Sequence, residues 1–383
     1  MNRTRISVCL AGIALISSVA SAQIRSASET RKNIEAALFK AYKEGDFPGI
    51  TAAVVFPNTA VMEFAVGFSD KGKKIALKPS DRMLAGSVGK TFFAAAILKM
   101  AEAGKLDLDA PISKYVGSQP WFAGLPNASQ LTLRHLMRHT SGIPDHLENE
   151  AFLKEIQQNP DKVWGHSELL KATLGQKPLF AVNGGWSYGD INFIVAALVF
   201  EAATKQDAYA YIQSQILRPL GIKKTHPSIS RKLDDLVNGE MGAGPFGAAG
   251  PTLLDGMLKF NPQMEWAGGG FVSNSLDLAR WARHLYTGRA FGKKWVDEML
   301  TGVPARLGPN AKYGLGAIIR ETPYGTSVGH DGWYPGYLTS MEYFPKQNIA
   351  IAVQISADSR QKVKRSSHDF VLLVGKEVLG IQQ

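Results

Sequence analysis

The chain has 383 residues, 43 Lys and Arg against 33 Asp and Glu, a formal net charge of +10 and one cysteine. With 45% hydrophobic and 20% charged residues it has a globular composition and enough length to bury a large core, which excludes a disordered chain and a disulfide-stapled mini-protein. One cysteine excludes an internal disulfide and a cysteine-rich zinc site, while the positive charge makes nucleic acid, an anionic surface or an acidic substrate worth testing.

Arg3 and Arg5 precede an apolar run from Ile6 to Ala20 and the small-x-small triplet Ala20-Ser21-Ala22. This order reads as a secretory signal cut after Ala22, leaving residues 23–383 as one exported domain, periplasmic or secreted. The run falls short of the roughly 20 apolar residues a bilayer span needs, so no membrane span is expected once the signal is gone. Ser7 and Val8 ahead of Cys9 are not the small residues expected before a lipoprotein cysteine. Cleavage removes Cys9 and two positive charges, and a cysteine nucleophile with them.

Glu29 to Glu44 predicts a helix, with Ile34, Ala37, Leu38 and Ala41 at helical spacing and Gly45 and Pro48 as its stop. Ile50–Phe56 and Val61–Val66 are β-rich runs joined through Pro57-Asn58, a hairpin pattern. From Thr91 to Leu300 the periodic segments are mostly helical. Strand character returns at Gly316–Glu321, Tyr324–Gly329, Leu338–Phe344 and Ile349–Ile355, and a final helix covers His368–Leu379. Strands at both ends and helices between them predict an α+β fold: an antiparallel sheet built from both chain ends, flanked by terminal helices, with a mostly helical insertion. The Gly/Ala/Pro-rich stretch Gly239–Pro251 is long for an idle connection and is expected to border a site.

Chemistry begins at Ala85-Gly86-Ser87-Val88-Gly89-Lys90, ahead of the apolar helix Thr91–Ala103. Positions three apart share a helix face, so Ser87 and Lys90 point the same way. A lysine beside a buried apolar helix is costly to charge, and a neutral amine can take the proton of a serine hydroxyl. The helix N-terminus supplies a backbone N–H and a positive dipole end for a developing oxyanion. The same four residues also fit an N-capping serine followed by an exposed lysine. Ser359–Lys362 repeats the spacing among Arg360, Lys364 and Arg365 and reads as a solvated charge cluster. Lys71, Lys73 and Lys74 form a lesser cluster; the remaining cations are dispersed, and no nucleic-acid site is expected.

Two further segments join the first. Trp186-Ser187-Tyr188-Gly189-Asp190-Ile191-Asn192 precedes the apolar helix Phe193–Ala203, and Gly329-His330-Asp331-Gly332-Trp333 ends a predicted strand. The ordered set S-x-x-K, Y-x-N-like and H-x-G resembles the serine β-lactamase and penicillin-binding superfamily. The likeness is strongest to its class C β-lactamase, D-alanyl-D-alanine carboxypeptidase, D-aminopeptidase and esterase branch. The segments Gly104–Ile112, Leu131–Pro144 and Ala267–Arg280 are similar to further elements of that family, so the resemblance runs from about Thr30 to Gly380.

The resemblance implies a β-lactamase/transpeptidase-like fold and roles by position. Ser87 is the acylated nucleophile and Lys90 helps deprotonate it. Tyr188 relays protons, and His330 polarises Tyr188 and contacts substrate. The backbone N–H groups of Ser87 and Trp333 form the oxyanion hole, and Asp190, Asp331 and Gly332 face substrate. No cofactor is implied. His135 and His139 lie four apart, but Leu136 stands where a zinc protease motif has Glu, so they read as packing and helix-end residues, and no metal site is expected.

Three positions depart from the pattern of true β-lactamases: His330 replaces their Lys, although H-x-G also occurs among family peptidases and esterases, and two acidic residues bear on substrate. Asp190 replaces an Asn whose amide would donate to a substrate carbonyl, which an ionised Asp cannot do. Asp331 stands where Thr or Ser commonly contacts a substrate carboxylate, and it would repel one if it faced the cleft. The expectation is a serine hydrolase acting on a small-molecule or short-peptide acyl substrate, an ester or amide that is neutral or cationic. The alternatives are a true β-lactamase or D-alanyl-D-alanine carboxypeptidase, and a catalytically silent penicillin-binding-like protein.

Overall fold

The computed structural model describes residues 26–379, so the signal-peptide reading and Cys9 lie outside the described residues. Helix α1 (Ala27–Glu44) is capped by Ser26, whose Oγ accepts the Glu29 amide at 3.1 Å, and it buries Ile34, Leu38 and Ala41 along one face. Strands β1 (Gly49–Val55) and β2 (Val61–Asp70) pair antiparallel across the Pro57-Asn58 connection. The middle of the chain supplies α2 (Lys90–Glu102), α3 (Asp190–Thr204) and α4 (Ser275–Tyr286). The sheet then resumes with β3 (Ile318–Thr322), β4 (Gly325–Tyr334), β5 (Tyr337–Phe344) and β6 (Ile349–Ile355), and α5 (Ser367–Val378) follows.

The two chain ends meet in the sheet centre. Strand β1 runs antiparallel to β6, from Ile50 opposite Ile355 to Val55 opposite Ala350. The sheet order is β3-β4-β5-β6-β1-β2, with short edge strands Val303–Pro304 and Lys312–Tyr313 beyond β3 and Ile75–Ala76 beyond β2. Every residue of β1 and β6 is buried, because both faces of the sheet are covered. Alternation divides them: Ile50, Val54, Ile351 and Val353 pack with Phe47 and Phe370 under α1 and α5, while Ala53, Val55, Ala350 and Ala352 face the larger helical core. Helix α2 is buried all round except at Lys99 and Glu102, as an apolar central helix must be.

The architecture expected from the sequence is therefore present, with three local differences. Strand β4 does not stop at Gly329 but runs on to Tyr334, carrying the H-x-G segment inside the sheet. Helix α3 begins at Asp190 rather than Phe193, so the Asp-Ile-Asn run forms its first turn. The region between Thr91 and Leu300 is less uniformly helical than its pattern: Phe271–Ser273 pairs with Met83–Leu84 and His226–Pro227 in a second small sheet. Strands of two or three residues leave no measurable period in a sequence. Among the described residues no helix is long and apolar enough to cross a membrane.

Candidate active site

Gly86–Gly89 form a 3-10 turn that leads into α2, with Ser87 on the turn and Lys90 at the first helical position. Gly86 has φ +52°, and a Cβ there would lie 2.5 Å from the Trp333 carbonyl oxygen and 2.7 Å from its nitrogen. Only glycine permits both the left-handed backbone and that approach. Gly332 abuts the same turn: a Cβ on it would stand 3.3 Å from the Ser87 nitrogen. Strand β4 thus brings the Trp333 amide beside the Ser87 amide, the arrangement two oxyanion donors need.

Lys90 is fully buried, and its Nζ is 2.9 Å from Ser87 Oγ and 2.5 Å from Asp190 Oδ1. Its third partner is the Gly268 carbonyl. The Tyr188 ring lies below the ammonium, 4.9 Å to the ring centroid. The Ala267–Gly270 segment that carries Gly268 packs backbone to backbone on the nucleophile turn: a Cβ on Gly89 would meet the Gly269 oxygen at 1.7 Å. An exposed lysine after an N-capping serine is therefore ruled out for Lys90.

Asp190 opens α3. Asp145 caps this helix start, its carboxylate accepting the Asp190 amide at 3.2 Å and the Ile191 amide at 3.3 Å. Burial pushes the Asp190 carboxyl up, with the adjacent Lys90 charge opposing and Asp145 adding to the rise. The Asp190 carboxylate is thus engaged with Lys90. Glu265 lies behind the same turn, 5% exposed, with Oε2 unpartnered among the described residues. Burial first, and then Asp190, raise its carboxyl well above the usual range.

Tyr188 Oη is buried without a hydrogen bond meeting the usual limits. Burial and next the Asp190 charge raise its pKa well above 10, and the nearby Ser87 hydroxyl only partly offsets them. The His139 ring packs on Tyr188 with centroids 4.3 Å apart and planes at 37°, and His139 Nδ1 accepts the Gly189 amide at 3.4 Å. His139 therefore shapes the site by holding the Tyr188 segment. His135 instead stays at the end of its own short helix, where Nδ1 accepts the Thr132 amide at 3.2 Å. Among the described residues no group of three or more His, Cys, Asp or Glu is placed to hold a metal ion.

His330 does not reach Tyr188 by hydrogen bond. Its Nδ1 donates to the Asp331 carbonyl at 2.5 Å, which leaves Nε2 to accept from Tyr313 Oη at 2.8 Å. Burial and then the Lys90 charge lower its pKa to about 3, so the ring is neutral at pH 7 and polarises nothing by charge. The rings of Tyr313, His330 and Tyr188 form a triangle, with centroids 5.6 Å, 6.0 Å and 6.2 Å apart. His139 packs as its spacing suggests, but no sequence pattern marked its place on Tyr188, nor Tyr313 and Glu265, since their contacts to the site join distant parts of the chain.

Asp331 does not face the cleft. Alternation along β4 turns it to the opposite side of the sheet from His330, where Oδ2 accepts from Arg320 at 2.5 Å and Oδ1 from Ser340 at 2.7 Å. Burial would raise its carboxyl, but Arg320 and Ser340 hold it below the usual range. Its expected substrate contact and its repulsion of substrate carboxylates are both corrected by this placement. Trp333 points outward, 42% exposed, and meets Phe246 of the Gly239–Pro251 stretch at 5.6 Å. That stretch thus packs beside the residue that follows the H-x-G segment. Arg360, of the second S-x-x-K copy, lines one cavity with Phe246 and Trp333. Trp186 lies within 6.3 Å of Tyr188, whereas Trp121 packs on Phe122.

The Beta-lactamase family model matches residues 34–376. The Bacillus subtilis (strain 168) protein named "Putative penicillin-binding protein PbpX" is 26% identical over 319 residues, 82% of this chain and 71% of that one. "Protein flp" of Staphylococcus aureus (strain MRSA252) is 23% identical over 348 residues, 90% of this chain and 66% of its own. The chain thus spans about two thirds of the length of such curated relatives. Among solved structures, a D-stereospecific amidohydrolase from Streptomyces sp. superposes with a TM-score of 0.76 at 24% identity, covering 93% of this chain and 99% of that one. A D-amino acid amidase from Ochrobactrum anthropi SV3, complexed with L-phenylalanine amide, gives 0.76 at 21% identity over 92% and 99%. At these identities the structural likeness is one of fold.

Proposed function

The chain belongs to the β-lactamase family, and from that premise we propose that it is an exported serine hydrolase that cleaves esters or amides through an acyl-Ser87 intermediate. The observation that carries this reading is Lys90 Nζ, 2.9 Å from Ser87 Oγ and 2.5 Å from Asp190 Oδ1. For Lys90 Nζ to take the Ser87 proton it must first give one up, and Asp190 Oδ1, on a carboxyl that burial pushes up, is the adjacent acceptor. Ser87 Oγ then attacks the acyl carbon while its proton passes to Lys90 Nζ. The carbonyl oxygen becomes an oxyanion held by the Ser87 and Trp333 amides. Tyr188, a neutral phenol by its raised pKa, gives its proton to the leaving nitrogen or oxygen and regains one from Lys90. Water reverses the sequence: it loses a proton through Tyr188 and Lys90, attacks the acyl carbon, and Ser87 recovers its hydrogen.

The solved amidohydrolase and amidase support a small amino-acid amide or a related acyl compound as substrate. The basic, apolar and Ala-Ser-Ala pattern of residues 1–22 supports export, with no nucleic-acid partner. A β-lactam or D-alanyl-D-alanine terminus is the second reading, and one observation favours it: Asp331 is paired with Arg320 and cannot repel a substrate carboxylate. Steady-state rates on short-chain nitrophenyl esters and on a chromogenic cephalosporin separate the two. We expect the esters to turn over faster, and faster cephalosporin turnover would sink the first reading in favour of the second.

A further inference from the structure

Lys223, Arg280, Arg283 and Arg289 are dispersed in the sequence, but the fold gathers them around one cavity of about 480 Å³. Arg280, Arg283 and His284 stand three and four positions apart on one face of α4, and Arg289 follows just beyond the helix. Lys223 comes from the loop ahead of His226–Pro227, and Val55 and Leu220 give the cavity apolar sides. None of Ser87, Lys90, Tyr188 or Asp190 lines it.

Among the described residues these four cations form no ion pair. Arg283 is 7% exposed, and its guanidinium is held in place by Nη2, which donates to the Pro57 carbonyl at 2.7 Å. Its Nε is buried without a partner, as is His284 Nδ1. Burial first, and then the charges of Arg289, Arg283 and Arg280, push the His284 pKa down to about 4. Three guanidinium groups thus converge on an imidazole that stays neutral at pH 7. Asp277 lies one turn before Arg280 and feels its charge, but its Oδ2 accepts the Lys224 amide at 2.5 Å and the Thr225 hydroxyl at 3.3 Å. Cations in a last helical turn also offset the helix dipole, which suits Arg283 but not Lys223, brought in from another segment.

We propose that this cavity is a binding site, separate from the Ser87 centre, for a phosphate or diphosphate group carried by a soluble molecule or a lipid head. A lone carboxylate answers one of four lasting charges. A diphosphate brings several, with oxygens that match planar guanidinium forks and the open Arg283 Nε–H. A hollow of this volume suits a small head group, and Val55 and Leu220 can border its carrier. The site does not depend on the hydrolase reading, and its test needs no turnover.

Calorimetric titration with inorganic pyrophosphate probes the soluble source. Co-sedimentation with phosphatidylglycerol vesicles, against phosphatidylcholine vesicles, probes the lipid one. The wild type is compared with Lys223→Gln/Arg289→Gln, two exposed side chains without partners among the described residues, so the buried Arg283 and the fold stay intact. Lys73→Gln/Lys74→Gln removes the same charge from another exposed cluster. The expected result is saturable binding in at least one arm, weakened about tenfold or more by the first double variant and less than about twofold by the second. No saturable binding in either arm, or a loss in the first variant no greater than in the second, overturns the site.

Discussion

Lys90 and Asp190, one hundred residues apart in the chain, meet at 2.5 Å beside Ser87, with the lysine side chain wholly excluded from solvent. Two charges in such a place are held by each other. Removing one leaves the other buried without its partner, which costs about 3–5 kcal/mol, whereas removing both costs much less. Asp190→Ala and Lys90→Met are each expected to destabilise the fold by about 3 kcal/mol or more, with the double variant well below their sum. Urea unfolding of all four proteins measures the coupling. Additive losses would mean that the two groups do not share their charge.

Tyr188→Phe separates chemistry from stability. The hydroxyl is buried, and its polar neighbour, the Ser87 hydroxyl, lies outside the usual hydrogen-bond limits, so its removal loses little and spares a desolvated polar group. The melting temperature is expected to hold or rise slightly, while kcat falls on the order of 10²–10⁴-fold. A variant with normal kcat would remove Tyr188 from the proton path.

Asp331→Asn is expected to act on the fold and leave substrate choice alone. The substitution breaks the ion pair with Arg320 and weakens the Ser340 contact on the side of the sheet away from Ser87. Stability should fall by about 1.5–3 kcal/mol, the worth of hydrogen bonds to a charged group. The ratio of kcat/KM for anionic and neutral substrates should not change. A ratio shifted toward anionic substrates would put Asp331 in the cleft after all.

His330 gives the fold a pH dependence with a definite sign. Its folded value, about 3, lies below the ordinary 6.5 because burial, and next the Lys90 charge, oppose protonation. Between those values the unfolded chain binds the proton and the folded chain does not. The contribution is therefore fully present above 6.5 and is lost progressively as pH falls toward 3, with a slope of up to about 1.4 kcal/mol per pH unit. His330→Gln should flatten the fall in melting temperature between pH 6.5 and 4 relative to the wild type. Identical slopes would mean that another group carries the effect.

What could be read in the sequence depended on the distance over which each signal acts. Ser87 and Lys90 are three residues apart on one helical turn, so their shared direction follows from spacing alone. The central strands announce themselves because Gly49–Val55 and Ile349–Ile355 are buried on both faces and so are apolar but for Thr51 and Gln354. The facing of Asp331 was hidden by one boundary. Ending the strand at Gly329 leaves the direction of Asp331 open, while carrying β4 to Tyr334 places His330 and Asp331 on opposite faces by alternation. Gly332, expected to face substrate, is the place where the strand lets the Ser87 turn approach. Tyr313, His139 and Glu265 reach the site only through tertiary contacts, which no periodicity records.

The central claim is that Ser87 is the acylated nucleophile, and intact-mass spectrometry after a fluorophosphonate probe tests it most directly. The account predicts one adduct on the wild-type protein, its absence from Ser87→Ala, and nearly equal melting temperatures for the two. An adduct that persists in Ser87→Ala, or turnover retained by that variant, would contradict it.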